Sequence, residues 1–279
     1  MCFLCLHSAV SPLKRARQWT LTAAGLLVCW VILGTGLSPS LAELAPFHVP
    51  PLTSWTNSLG MPFVGGLKPG LKICRWETRV RDYKRFLHEH EKSLKTPSFQ
   101  QTDNHPVVGI SWVEAKAFCD WLTTLEKREG TIASTAFYRL PTDREWTLML
   151  GRFVEEDALP RDLDENADGA FVWGLSWPAP QGSGNFGKDE GADHFAFTAP
   201  VGSFPANELG LFDVAGNVWE WCEDWYDENQ LYRVLRGGSW RTETFRNTLA
   251  TERHAHLPQA QVDCYGFRCV LVDREVFVE

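Results

Sequence analysis

The clearest periodic stretch of the chain lies between Ser111 and Gly130. Ala117, Phe118, Trp121, Leu122 and Leu125 recur at helical spacing and predict an amphipathic helix with those residues on its inner face. Ser111, with Glu114 three positions on, marks its start, because that pair satisfies two otherwise unbonded backbone N–H groups reciprocally. Gly130 marks its end, since glycine readily takes the left-handed conformation that closes a helix. Thr142 and Glu145 repeat the capping pattern and open a short helix through Trp146. A weaker helical pattern runs from Thr78 to His90, and short apolar runs at Leu71–Trp76, Val234–Gly237 and Phe267–Val272 read as strands. From Gly151 to Gly210 the residues Gly, Pro, Asp and Asn recur throughout and predict loop. Compact domains keep loops of that length for function or staple them with an ion. Two or three helices beside small antiparallel sheets, with much loop, make an α+β chain.

The 279 residues suffice for one domain with a substantial core. Basic Lys14, Arg15 and Arg17 precede an apolar run from Leu21 to Leu37, and Ser40-Leu-Ala42 offers small residues for cleavage. Residues 1–42 therefore read as a signal peptide cut after Ala42, with a retained membrane anchor as the alternative. Residues 43–56 form a lead-in linker rich in Pro and Ser, and 57–279 form the domain. Either reading of the leader places the domain outside the cytoplasm: secreted, periplasmic or at the cell envelope. The net charge of −8, from 27 basic and 35 acidic residues, argues against nucleic acid. Membrane contact is expected only through an uncleaved leader. Past the leader stand Cys74, Cys119, Cys222, Cys264 and Cys269, an odd number that leaves at least one thiol unpaired within the chain.

The densest motif is Gly210–Trp221, followed by Arg236-Gly-Gly-Ser-Trp240 and Gly266-Phe-Arg-Cys269. Upstream stand His105–Trp112, Ala117–Trp121 and Tyr138–Trp146. In this order, over roughly residues 57 to 272, the chain resembles the formylglycine-generating enzymes, or sulfatase-modifying factors. Their fold is a variant of the C-type-lectin-like fold. The resemblance implies two calcium sites. One would use the side chains of Asn185 and Asp193 with the carbonyls of Phe186 and Phe195. The other would use Asp213 and Glu220 with the carbonyls of Gly216 and Val218. It also implies a disulfide between Cys119 and Cys269. A guess that Cys74 and Cys264 form a second bridge has no motif behind it.

Enzymes of this family oxidise a sulfatase cysteine to formylglycine with O₂ and a copper ion held by two thiolates. Cu(I) needs such soft ligands. In this chain the interval Arg241–Asp263, where the thiolates belong, contains no cysteine. Alignment from Gly237-Gly238 puts Asn247 and Glu252 at the two positions; alignment from Arg253 and Pro258 puts Phe245 and Ala250 there. Copper chemistry would then require Cys222, Cys264 or Cys269 to move into the role. Glu252, His254 and His256 fall in the same interval, and extended backbone would put all three on one face. Two imidazoles and a carboxylate are the ligand set of non-haem iron oxygenases, which makes an iron oxidoreductase the rival reading. Trp219, Trp221, Trp225 and Trp240 fit either a packed core behind the ion loop or a groove, with Trp240 and Arg253 as groove candidates. The favoured expectation is a calcium-stabilised module that binds a peptide or glycan, a sulfatase among the candidates.

Overall fold

The computed structural model describes residues 52–152, 158–165, 169–187 and 193–276. The leader, its cleavage site and most of the linker lie outside the described residues. Among the described residues no helix is long and apolar enough to cross a membrane.

The chain folds as β1 (Thr53–Thr56), β2 (Pro62–Gly65), β3 (Leu71–Cys74), α1 (Val80–Glu89), α2 (Trp112–Glu129), β4 (Ala136–Arg139), α3 (Asp143–Met149), α4 (Pro160–Glu165), β5 (Trp219–Trp225), β6 (Arg233–Arg236), a 3-10 turn (Arg246–Thr248), β7 (His254–His256), β8 (Tyr265–Gly266) and β9 (Val270–Asp273). These strands build two small sheets. One has the order β1-β2-β3-β9-β4, so the last strand inserts between β3 and β4. Ile73 pairs with Val270 on one side of β9, and Arg139 pairs with the same residue on the other. The second sheet has the order β7-β6-β5-β8, antiparallel except for the β5–β8 pair. The α+β expectation holds, and the loop predicted over Gly151–Gly210 carries only the short helix α4 among its described residues.

Both predicted capping boxes are present. Ser111 Oγ accepts the Glu114 N–H at 3.3 Å while Glu114 Oε2 accepts the Ser111 N–H at 2.9 Å. Thr142 and Glu145 do the same for α3. Gly130 closes α2 with φ of 71°. The inner face of α2 is rotated from the expected one: Ala115, Phe118, Cys119, Leu122, Leu125 and Glu126 are buried, Trp121 is half-buried and Ala117 is exposed. Glu126 turns inward because Tyr138 and Ser58 donate hydrogen bonds to its carboxylate. Around this face Phe63, Tyr83, Phe118, Tyr138, Trp221 and Phe267 make the main core. Trp219 and Trp221 are 6% and 0% exposed, so the two Trp of the dense motif belong to the core. Trp221 is held there by its indole N–H, which donates to the Ile110 carbonyl at 2.8 Å.

Candidate functional site

The dense motif forms an irregular loop leading into β5. Asp213, Gly216 and Asn217 all take positive φ there, which a short polar side chain tolerates and glycine adopts freely. Gly216 has no substitute, since a Cβ on it would meet the Asn185 carbonyl oxygen at 2.3 Å. Glu220, one of the expected calcium ligands, has both carboxylate oxygens on the Arg268 guanidinium, at 2.6 and 2.7 Å. Both side chains are 0% exposed. Arg268 also donates to the Phe212 and Asp213 carbonyls, so it ties β5, the ion loop and the segment before β9 together. Burial alone would make that guanidinium easier to deprotonate, but Glu220 more than offsets this and holds it charged.

Asp213 accepts the Gly202 N–H at 2.6 Å through Oδ2, whereas its Oδ1 is buried without a hydrogen-bond donor among the described residues. Facing it is Glu77, which no sequence motif singles out. Glu77 is fully buried, accepts Asn217 Nδ2 at 3.0 Å, and likewise has one oxygen without a donor. Burial pushes the Glu77 carboxyl well up, and the neighbouring Asp213 and Glu220 push it further against the pull of Arg268. Asn217 joins this pair to the other expected ion set, because its side-chain oxygen accepts Asn185 Nδ2 at 3.2 Å.

Asp193 and Asn185 of the first expected ion set both bond backbone groups. Asp193 grips the backbone N–H groups of Phe186 and Phe195, at 3.0 and 2.6 Å, which brings those two residues together. Asn185 is fully buried, donates to the Phe197 carbonyl at 2.8 Å, and leaves its Oδ1 without a partner among the described residues. Three buried acceptor oxygens, on Asn185, Glu77 and Asp213, therefore lack donors. Oxygen acceptors of this kind suit a hard cation such as calcium.

The interval Arg241–Asp263 carries a different chemistry from the one expected of it. Phe245, 48% exposed, packs edge-on against Phe171 and Trp177, and Ala250 is tied to Ala170 by a backbone hydrogen bond. Arg253 does not line a groove. It is 3% exposed, with its guanidinium on Asp143, which Arg236 also engages. Burial raises the Asp143 carboxyl, but Arg236 and Arg253 more than offset that and hold it below the usual carboxylate range. Trp240 is half-buried instead against Phe99 and Phe197, away from Arg253's ion cluster.

Glu252, His254 and His256 are not assembled as a metal centre. Glu252 is paired with Arg246 at 3.1 Å and lies beside Asp164, while His254 Nε2 bonds the Tyr265 hydroxyl at 2.6 Å. The two imidazoles, on one face of β7, have centroids 6.2 Å apart. Among the described residues no group of three or more His, Cys, Asp or Glu is placed to hold a metal ion. Four of the thiols are buried in ways that disfavour the thiolate. Burial pushes Cys264 up to about 11 and Cys74 up to about 12, and lifts Cys222 and Cys269 well above the usual thiol range. Cys119 and Cys269 stand side by side with their sulfurs 3.6 Å apart. Cys264 contacts Ser239 and Arg241, whereas Cys74 lies near Cys269, so the guessed Cys74–Cys264 bridge finds no support.

A cavity of about 260 Å³ opens beside the ion loop, lined among others by Val172, Trp173, Ser183, Phe204, Asp213 and Val214. Its walls combine the rings of Trp173 and Phe204 with polar groups at Ser183 and Asp213.

Comparison with known proteins agrees with this architecture. A formylglycine-generating enzyme from Thermomonospora curvata is 30% identical over 203 residues, covering 64% of this chain and 60% of that protein. A protein named inactive C-alpha-formylglycine-generating enzyme 2, from Bos taurus, is 33% identical over 171 residues, covering 59% of this chain and 49% of its own length. The chain thus spans about half to three fifths of these two relatives, and 24% of a serine/threonine-protein kinase pkn1 from Chlamydia caviae to which it is 32% identical over 183 residues. The solved structure of PvdO from Pseudomonas aeruginosa shares the fold, with a TM-score of 0.52 at 20% identity over 80% of this chain and 92% of that one. Residues 67–272 match the model of the sulfatase-modifying factor enzyme 1-like domain, from just before β3 into β9, and the chain belongs to that family.

Proposed function

We propose that this chain is an exported member of the family that binds a partner on a calcium-stabilised scaffold and does not oxidise cysteine with copper. The observation that carries this reading is the cysteine-free interval Arg241–Asp263. In either register the positions for the two thiolates hold Asn247 and Glu252, or Phe245 and Ala250, and none of these offers a soft ligand to Cu(I). Burial favours the protonated form of Cys74, Cys222, Cys264 and Cys269, which supports the same reading. Calcium is supported by the donorless buried oxygens of Asn185 and Asp213, which the family's two ion sets contain.

The partner is a peptide or a glycan, with the cavity beside Trp173 as the place that takes one of its rings. A sulfatase is the alternative partner, suggested by the family's activity. The test is incubation of the mature protein with copper, O₂ and a cysteine peptide bearing a sulfatase motif. No aldehyde is expected on the peptide, and its detection by mass spectrometry would overturn the proposal. On immobilised glycans and peptides, Trp173→Ala is expected to lose retention at unchanged melting temperature.

A further inference from the structure

Glu77 lies between β3 and α1, 140 positions from Asn217, yet it meets the ion loop directly. Its Oε1 accepts Asn217 Nδ2 at 3.0 Å, and Asp213 stands near enough for its charge to act on that carboxyl. Glu77 is 0% and Asp213 5% exposed. The two oxygens without donors, Glu77 Oε2 and Asp213 Oδ1, belong to these carboxyls. Two ionised carboxylates at such range, out of water, repel strongly unless something positive or a proton stands between them.

Arg268 is not that positive group. Its fork is engaged with Glu220 at 2.6 and 2.7 Å and with the Phe212 and Asp213 carbonyls. One buried positive charge therefore already has one buried negative partner, and the second and third carboxylates exceed it. Around them stand the Asn217 amide, whose nitrogen faces Glu77 and whose oxygen accepts Asn185 Nδ2, and the Gly202 N–H on Asp213 Oδ2, none of which carries a charge. Two carboxylate oxygens left open in such a place select a hard divalent cation over a soft one.

We propose that Glu77 and Asp213, with Glu220 withdrawn into its pair with Arg268, supply the carboxylates of the calcium site in the ion loop. The assignment rests on the calcium reading above and departs from the ligand set that the family resemblance implied. Replacing Glu77 by Gln removes one charge and supplies an amide donor for Asp213, while the amide oxygen still accepts from Asn217. The variant is therefore expected to fold without calcium and to lose its response to it.

The experiment is calcium titration by calorimetry, with melting curves in chelator and in excess calcium, on the mature wild-type chain and on Glu77→Gln and Asp213→Asn. Near-ultraviolet circular dichroism of the Trp core serves as the check of folding. The expected result is one calcium equivalent fewer in each folded variant, a melting temperature in chelator equal to or above wild type, and a smaller rise on adding calcium. If the folded variants bind as many ions as wild type with unchanged affinity, the two carboxyls merely share a proton and the assignment is overturned. A wild-type chain that binds no calcium at all would instead sink the calcium reading, and this assignment with it. Should one variant fail to fold, the other decides by the same readout.

Discussion

Arg268 is the residue on which the ion loop turns. Its guanidinium is wholly buried and joins Glu220 of β5 to the carbonyls of Phe212 and Asp213. Removing one partner of such a pair strands the other charge out of water, a loss of about 3–5 kcal/mol. Glu220→Gln is expected to lower stability by roughly that amount in urea unfolding; a change below about 1 kcal/mol would mean that the pair is more hydrated than its burial indicates. Single residues were legible in the sequence only where a motif carried them. Asp213, Gly216 and Glu220 were found because they share one short window. Glu77 was not, since its partner Asn217 is 140 positions away and an isolated Glu beside Thr78 looks like any surface acid. Arg253 misled for the opposite reason: it sits in a loop, where arginine is normally exposed, but Asp143 draws it inside.

Among the elements, the helices were the most legible because caps and periodicity are local. Ser111→Ala removes the acceptor for the Glu114 N–H and is expected to cost about 1 kcal/mol, read as a lower midpoint in chemical denaturation. An unchanged midpoint would mean that the Glu114 half of the box suffices. The face of α2 was less legible, because Glu126 counts as polar in any pattern yet is buried by its hydrogen bonds to Tyr138 and Ser58. The runs at Leu71–Trp76, Val234–Gly237 and Phe267–Val272 fall within three residues of β3, β6 and β9, but β1, β4, β5 and β7 had no such signal and the strand order was not legible. The insertion of β9 between β3 and β4 follows from long-range pairing that no local run announces. The interval after β6 shows its lack of cysteine in the sequence itself, but the packing of what it holds was not legible. Extended backbone does put His254 and His256 on one face, but Glu252 precedes β7 and turns to Arg246 and Asp164.

At the scale of the whole molecule, buried charge sets the response to pH. Burial, the adjacent Asp164 charge and the opposing Arg246 leave the Glu252 carboxyl pushed up to about 7, and burial likewise pushes Asp224 up to about 6. Both bind protons more tightly in the folded chain than in the unfolded one, so stability falls as pH rises from about 4.5 towards 7. Asp143 is held low and acts in reverse: its contribution is present above the unfolded carboxylate range and is lost as pH falls through its depressed value. The melting temperature is therefore expected to peak in mildly acidic buffer. Glu252→Gln should flatten the decline towards pH 8, and a decline of undiminished slope in that variant would remove Glu252 from the account.

Oxidation is the second whole-molecule test. Cys119 and Cys269 are separated by 150 positions and lie 3.6 Å apart at sulfur, tying α2 to the last strand. Protein made in an oxidising compartment is expected to show two fewer titratable thiols and to lose about 2–4 kcal/mol on reduction. Equal thiol counts before and after reduction would mean the pair stays open.

The most direct measurement is the metal content of the mature chain after exposure to equal amounts of calcium and Cu(I), followed by desalting without chelator. A scaffold that keeps the family's ion loop and lacks its two thiolates retains calcium and no stoichiometric copper. One copper per chain would contradict the account and return the protein to the oxidases.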